Sequence, residues 1–392
     1  MRRIYLDHQT LTSPYPEVVE AVSECLRGVA ASPSGIHSPA KAARDAVDAA
    51  RRELLEFMGA ADSDGDVIFT GTGTEAVNLA ILGGARANQR FGKHIISSRI
   101  EHPAVLNSLE HLKQEGFQVD LIGTDERGRL DLDSLSGLLR KDTILLCFGL
   151  ANAELGTIQF LESVGELARR QAIPFFVDAT IGPGRMLLDL SSLSADLVAL
   201  APSSFGGSVG VGALIKRSQV LLQPILFGGL QEQELRPGEE NVPAIVGAGV
   251  AAGQTRERLA SNIDALRQAQ RTLWEMIQSK ISGVQLLGTE LGEERMAHHL
   301  SVLIEGVEAE GLVLFADMRG LAISTAGGCL SRQRDAFYVL SEVGLDREAA
   351  RQTIGLGVGL ETSEAELEEA VKILASGVER LRSMNPSMDL GS

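Results

Sequence analysis

At 392 residues the chain is too long for one small core and calls for two domains. With 44% hydrophobic and 22% charged residues it has an ordinary globular composition, and no run of about eighteen apolar residues is present to cross a membrane. The net charge of −16 repels phosphate backbones, and the seven lysines are scattered, which argues against a nucleic-acid surface. The N-terminus, Met1 to Asp7, has no apolar signal core, so a cytoplasmic location is the default. Cys25, Cys147 and Cys329 are odd in number and widely spaced; they form neither a disulfide framework nor a zinc motif and read as thiols in a reducing compartment.

In chain order, Glu17–Cys25 and Pro39–Phe57 read as helices. Apolar runs then alternate with helical ones: Val67–Thr70, His94–Ser98, Val119–Gly123, Thr143–Leu150, Pro174–Asp178, Leu197–Ala201 and Gly212–Ile215, with helices such as Thr74–Ala87 and Leu161–Gln171 between them. Continuous apolar strands separated by helices predict a mostly parallel, doubly wound α/β sheet. Near Gly253 the pattern changes. Leu259, Ile263, Leu266, Leu273 and Ile277 recur at helical spacing, followed by strands Val284–Leu287, Leu300–Ile304, Ala322–Thr325 and Thr353–Val358. A last helix opens at Ser363 with Glu366 three residues on, a capping box. The expected organisation is a large α/β domain over 15–253, a smaller α+β domain from 1–14 and 254–384, and a flexible tail over 385–392.

Several segments could carry chemistry. Phe69-Thr70-Gly71-Thr72-Gly73-Thr74-Glu75 is a strand, a glycine turn and a helix start, whose N–H groups suit a phosphate. No Walker lysine follows, and the next strand ends in Ser-Ser-Arg rather than the acidic residue a dinucleotide site wants. His102, after the second strand, and Asp178, ending another, sit where ligands bind in open α/β sheets. The loop after Leu197–Ala201 offers only Ser203, Ser204 and Ser208 as reactive side chains. Cys329 lies in a small-residue loop with Arg332 and Arg334 close by, a setting that raises thiolate content. The stretch from Gly228 to Asn241 is Glu-rich and reads as a solvated loop. His298 and His299, at a strand start, should point to opposite faces and not share a metal.

Taken together, Tyr5-Leu6-Asp7, Ser38-Pro39, the Thr74 turn with Asn78, Glu101-His102, Asn152-Ala-Glu154-Leu-Gly156, Val177-Asp178-Ala-Thr180, Arg236-Pro-Gly238 and the Cys329 loop resemble the cysteine desulfurases of the class V aminotransferases, fold type I enzymes dependent on pyridoxal phosphate. The resemblance covers nearly the whole chain. It implies a homodimer whose sites draw on both subunits, and a pocket in which Gly73, Thr74, His102, Asp178, Thr180, Ser203 and Ser204 surround the cofactor. Cys329 matches the persulfide-forming cysteine.

Position by position, that pocket departs from the family. Ser204 stands where the resemblance implies the imine-forming lysine, Ser203 where it implies a histidine, Ala153 an asparagine and Ile181 a glutamine. Gly355 stands at the arginine that holds the substrate carboxylate, and Glu239 at a phosphate-binding threonine lent by the partner. A serine hydroxyl cannot form an imine, and an arginine clamp is worth about 1.5–3 kcal/mol per charge-assisted hydrogen bond. Glu239 near a phosphate costs on the order of 4 kcal/mol at an effective dielectric of 20. Lys41 is the one remote substitute for the missing amine. The resulting expectation is a homologue with no cofactor and no pyridoxal chemistry, handling sulfur through Cys329 as a persulfide relay or as a docking subunit for iron–sulfur or thio-cofactor assembly. Its partners would be a second copy or a lysine-bearing paralogue, and a sulfur-acceptor or scaffold protein. Cys329 and His102 are the expected catalytic residues. Two alternatives are an active desulfurase holding pyridoxal phosphate non-covalently, which the retained Asp178, His102 and Thr74 support, and a pocket recruited for another ligand or a metal at Cys329, His102 or Asp178.

Overall fold

The computed structural model of the chain describes residues 3–9, 11–28, 31–60, 65–187, 190–326 and 337–384. A short strand β1 (Ile4–Tyr5) precedes the large sheet, formed by β2 (Gly65–Thr70), β3 (His94–Ser98), β4 (Gln118–Ile122), β5 (Thr143–Gly149), β6 (Phe175–Ala179), β7 (Leu197–Leu200) and β8 (Gly212–Arg217). Their spatial order is β2-β8-β7-β6-β5-β3-β4. Neighbours pair in parallel except β8, which is antiparallel to both β2 and β7. Every residue of β3, β6 and β7 is buried, because helices cover both faces. One apolar cluster joins Phe148, Phe175 and Val177 to Val47 and Leu54 of the helix Ser38–Phe57. The other joins Leu145, Cys147 and Phe176 to Val77, Ile81 and Leu109 on the opposite side.

The second region is built on the sheet order β12-β13-β10-β9, from β9 (Val284–Leu286), β10 (His299–Ile304), β12 (Ser324–Thr325) and β13 (Thr353–Gly357). Strand β11 (Leu321–Ala322) leaves this sheet to pair in parallel with β1, so the expected single strand Ala322–Thr325 is two short ones in different sheets. The closing helix, Glu364–Met384, has the expected capping box: Ser363 Oγ accepts from Glu366 N at 3.3 Å and Glu366 Oε2 accepts from Ser363 N at 2.9 Å.

The helix Val242–Lys280 belongs to both cores. Ala244, Ile245, Ala248, Ala251 and Ala252 pack in the large-sheet cluster, and Ile263, Leu266, Leu273 and Ile277 in the small-sheet cluster. Its first turns escaped the sequence pattern because their glycines and alanines show no apolar period. They serve close packing instead: a Cβ at Gly249 would lie 2.7 Å from Ala50 Cα.

Candidate active site

At the carboxyl ends of the large sheet a cavity of about 370 Å³ opens, a volume suited to a small ligand. Gly73, Thr74, His102, Asp178, Thr180, Ser203 and Ser204 all line it. The turn after β2 is held by its own side chains. Thr72 Oγ1 accepts from Glu75 N at 3.1 Å, and Glu75 accepts from Gly71 N at 2.8 Å while pairing with Arg236 at 2.9 Å. The helical run from Gly73 to Asn88 starts here and tilts through a π-helical stretch, Leu79–Gly83. A Cβ at Gly73 would lie 2.8 Å from Thr180 Cγ2 and 3.0 Å from Ala201 Cβ, so only glycine leaves this floor open.

Asp178 ends β6 and is 4% exposed. Its Oδ1 accepts from Thr180 N at 3.0 Å and Thr180 Oγ1 at 2.7 Å, which fixes the carboxylate on the cavity wall. Two further carboxyls stand on the same wall. Glu101 is fully enclosed; burial first, then the neighbouring Asp178 charge, pushes it up to about 8 against the hydrogen bond from Ser98 at 2.6 Å. Glu154 is half-buried, but its Oε2 is enclosed without a partner, and desolvation raises it to about 8. Tyr338 donates to the Glu101 carbonyl at 2.5 Å, and its phenol is pushed up by burial and both glutamates. His102 caps the helix Pro103–Gln114, accepting from Ala104 N at 3.1 Å through Nδ1.

The loop after β7 is a 3₁₀ turn, Pro202–Ser204. The N-terminal segment locks it: Thr12 donates through N (3.1 Å) and Oγ1 (2.9 Å) to Ser203 O, and Thr12 Oγ1 accepts from Gly206 N at 2.9 Å. Gly206 adopts φ +85° with the Tyr15 ring against it, a backbone no larger residue accommodates there. Ser204 donates to Ala201 O at 2.8 Å. No amine replaces it among the described residues of the cavity wall. Lys41 is exposed and pairs with Asp45 at 2.5 Å, and Lys216 donates to backbone carbonyls of Arg217 and Ser218.

Other expectations fare unevenly. Cys329, Arg332 and Arg334 lie outside the described residues, as does the tail 385–392. Cys147 is fully buried in β5, its thiol pushed well up by desolvation. The Glu-rich loop is not simply solvated. Glu232 is 7% exposed, pairs with Arg51 at 2.5 Å and accepts from Phe69 N at 2.7 Å, fastening the loop to β2. Composition hid this because the partner lies 181 positions away. His298 and His299 are both buried with ring centroids 6.0 Å apart, and His299 Nε2 donates to Ala153 O at 2.8 Å. Among the described residues no group of three or more His, Cys, Asp or Glu side chains could hold a metal.

Residues 4–369 match the family described as Aminotransferase class-V. The chain belongs to that family. It is 36% identical to "Cysteine desulfurase IscS 1" of Archaeoglobus fulgidus, covering 97% of this chain and 98% of that protein. It is 34% identical to "Cysteine desulfurase IscS" of Methanosarcina thermophila, covering 98% and 94%. Among solved structures, a "NIFS-LIKE PROTEIN" superposes with a TM-score of 0.89 at 27% identity, covering 96% of this chain and all of the other. The chain is therefore a class V member that matches the desulfurases along nearly all of its residues, and its α/β fold is theirs.

This membership overturns the expectation of a chain without a cofactor: it points to pyridoxal phosphate. The physical reason lies in what Ser204 removes. A missing lysine abolishes the covalent tether and leaves the non-covalent contacts in place. The pocket fits the group on its own geometry, with an open Gly73 floor at a helix start and the buried Asp178 carboxylate on the cavity wall.

Proposed function

We propose that this chain seats pyridoxal phosphate without a covalent bond and serves sulfur handling as a desulfurase-type protein, with Cys329 as its sulfur-carrying thiol. The supporting observation is the meeting of Gly73, Thr74, His102, Asp178 and Thr180 on one cavity whose remaining wall offers a hydroxyl, Ser204, where a tether would stand. Bound there, the cofactor supplies an electron sink for a substrate amine. The N–H groups at the Gly73 helix start hold the phosphate, Asp178 pairs with the pyridinium nitrogen, and His102 covers the ring. Thr180 fixes the Asp178 carboxylate by two hydrogen bonds. Glu101 and Glu154, raised to about 8, keep a proton on their carboxyls near neutrality. Ser204 cannot exchange protons as an amine would, so turnover of cysteine is slow.

A homodimer is part of this reading. Leu226, Phe227 and Leu230 are exposed on one loop, Phe227 by 89%, an apolar surface that a second copy would cover.

The test is equilibrium dialysis with pyridoxal phosphate, followed by borohydride reduction and mass spectrometry. Binding at a 1:1 ratio without a lysine adduct is expected. Failure to bind, or a reduced adduct on any lysine, sinks the proposal.

A further inference from the structure

Glycine recurs at every second position along β13 and just past its end: Gly355 and Gly357 in the strand, and Gly359 two residues beyond it. Each is occupied by the N-terminal segment. A Cβ at Gly359 would overlap the His8 ring, one at Gly357 would overlap Gln9 N, and one at Gly355 would overlap the Gln9 amide nitrogen and lie 2.7 Å from its oxygen. Arg185 ties the same segment down, donating to His8 O at 2.6 Å. The Gln9 side chain thus fills the space that any side chain at 355 would use, and it lines the cavity beside Thr325 and Ala326. No hydrogen bond to its carboxamide is found among the described residues. Glu101, Glu154 and Asp178 line the same cavity, and no described lysine or arginine does.

We propose that Gln9 is a specificity-determining residue and that the pocket takes an amine whose carboxyl group is absent or uncharged, such as an aminothiol or an amino-acid amide, in preference to a free amino acid. A carboxamide offers one donor and one acceptor and no charge. A carboxylate brought against it loses its water with no cation among the described residues of the cavity to replace it, a cost that an uncharged end does not carry. An uncharged amide end pairs with Gln9 through two reciprocal hydrogen bonds. The inference rests on the site assigned above, deepening it to a substrate class.

The test compares three amines whose sulfur is blocked so that it cannot cyclise onto an aldehyde: S-methyl-L-cysteine, S-methyl-L-cysteinamide and 2-(methylthio)ethylamine. Calorimetric titrations are made on the chain as purified and again after saturation with pyridoxal phosphate. Expected is a preference of about tenfold or more for the two uncharged-end amines over S-methyl-L-cysteine, in both states. Equal or tighter binding of S-methyl-L-cysteine overturns the inference while leaving cofactor seating untouched; absence of cofactor binding overturns the site assignment while the ratio on the purified chain still decides this one. Gln9→Glu should widen the preference and Gln9→Lys reverse it. A residue that merely packs on β13 would move both ratios alike or neither, and that result also overturns the inference; circular dichroism of each variant reports the fold separately.

Discussion

The cavity has two walls of different history. One is made by the strand ends of the large sheet, where Gly73, Thr74, Asp178 and Thr180 keep the layout that the family resemblance implies. The other is made where the N-terminal segment crosses β13 and where the loop after β7 turns, and here Ser204, Ser203 and Gly355 depart from that layout, with Gln9 filling the space beside Gly355. The difference separates holding from reacting. Non-covalent contacts come from backbone N–H groups and a carboxylate set by the sheet itself, so they survive as long as the sheet does. The tether and the carboxylate clamp are single side chains on surrounding segments, and each can be lost alone. Under the proposed function, the result is a pocket that holds a ring and a phosphate without an amine among its described lining residues to bind the ring covalently.

The largest expected effect comes from returning an amine to the changed wall. Ser204→Lys places an amine on the changed wall, 3% exposed and beside the cavity. After incubation with pyridoxal phosphate and borohydride reduction, the variant should carry a near-stoichiometric adduct on residue 204 and the parent none; an unmodified variant that still binds cofactor would show that the loop locked by Thr12 aims the side chain elsewhere.

Next come changes to the retained wall. Asp178→Ala removes the charged partner of the pyridinium and should weaken cofactor binding by about tenfold to a hundredfold, from the 1.5–3 kcal/mol typical of such a hydrogen bond. Gly73→Val sets branched carbons against Thr180 and Ala201 and should cost about 1–3 kcal/mol of stability as well as affinity. Dialysis and thermal melts of both variants check this. Affinity unchanged in Asp178→Ala would mean that the carboxylate does not face the ring.

How much of this was legible from the residues follows from the distance over which each interaction acts. The strands ending at Thr70, Ser98, Gly149 and Leu200 were visible because continuous apolar runs between turns leave few alternatives, and the Ser363–Glu366 box because it closes over three positions. Asp178 and His102 could be placed because strand ends of an α/β sheet face one side. Gln9 was invisible: nothing in its neighbours reveals that it covers Gly355, a contact that exists only once β13 and the N-terminus meet. The alternation of glycines at 355, 357 and 359 was the available signal, since a strand without side chains on one face leaves space for a crossing backbone. Glu232 was missed for the same reason, its partner Arg51 being far away in sequence. The cofactor expectation failed differently, by treating the loss of a tether as the loss of a seat.

A smaller effect sharpens the comparison through pH. On the retained wall, Glu101 and Glu154 are raised from 4.5 to about 8, so the folded chain holds protons the unfolded one has released between those values, and stability falls as pH rises through that window. Beneath the changed wall the signs reverse. Burial, then the Arg185 charge, lowers His8 from 6.5 to about 4; burial, then Arg295, lowers His299 to about 3; burial, then Arg185, lowers His298 well below its usual range. These neutral histidines add stability above 6.5 that is lost as pH falls toward 4. The two sets oppose each other between 4.5 and 6.5, and above 6.5 only the carboxyls act. From pH 6.5 to 8 the free energy of unfolding should therefore decline, by at most about 1.4 kcal/mol per pH unit for each carboxyl. Glu101→Gln and Glu154→Gln, both raised to about 8, should each remove a comparable share of that slope in denaturant titrations. A slope unaltered by both Glu101→Gln and Glu154→Gln would mean that these carboxyls are ionised and paired in the folded chain, and the retained wall would then carry more negative charge than its burial allows.

The smallest effect serves as the control for all of these. Ser363→Ala deletes the cap of the helix Glu364–Met384, whose buried face is Leu367, Val371, Leu374 and Val378 in the small-sheet cluster. Loss of the hydroxyl, which accepts from Glu366 N and donates to Glu366 Oε2, should cost about 1 kcal/mol. Because this helix end lines neither wall, cofactor affinity and the amine preference should stay at parental values while the melting temperature drops. If affinity falls with it, the small region and the pocket unfold together, and the losses read in the other variants must be corrected for stability before they are assigned to contacts with the ligand.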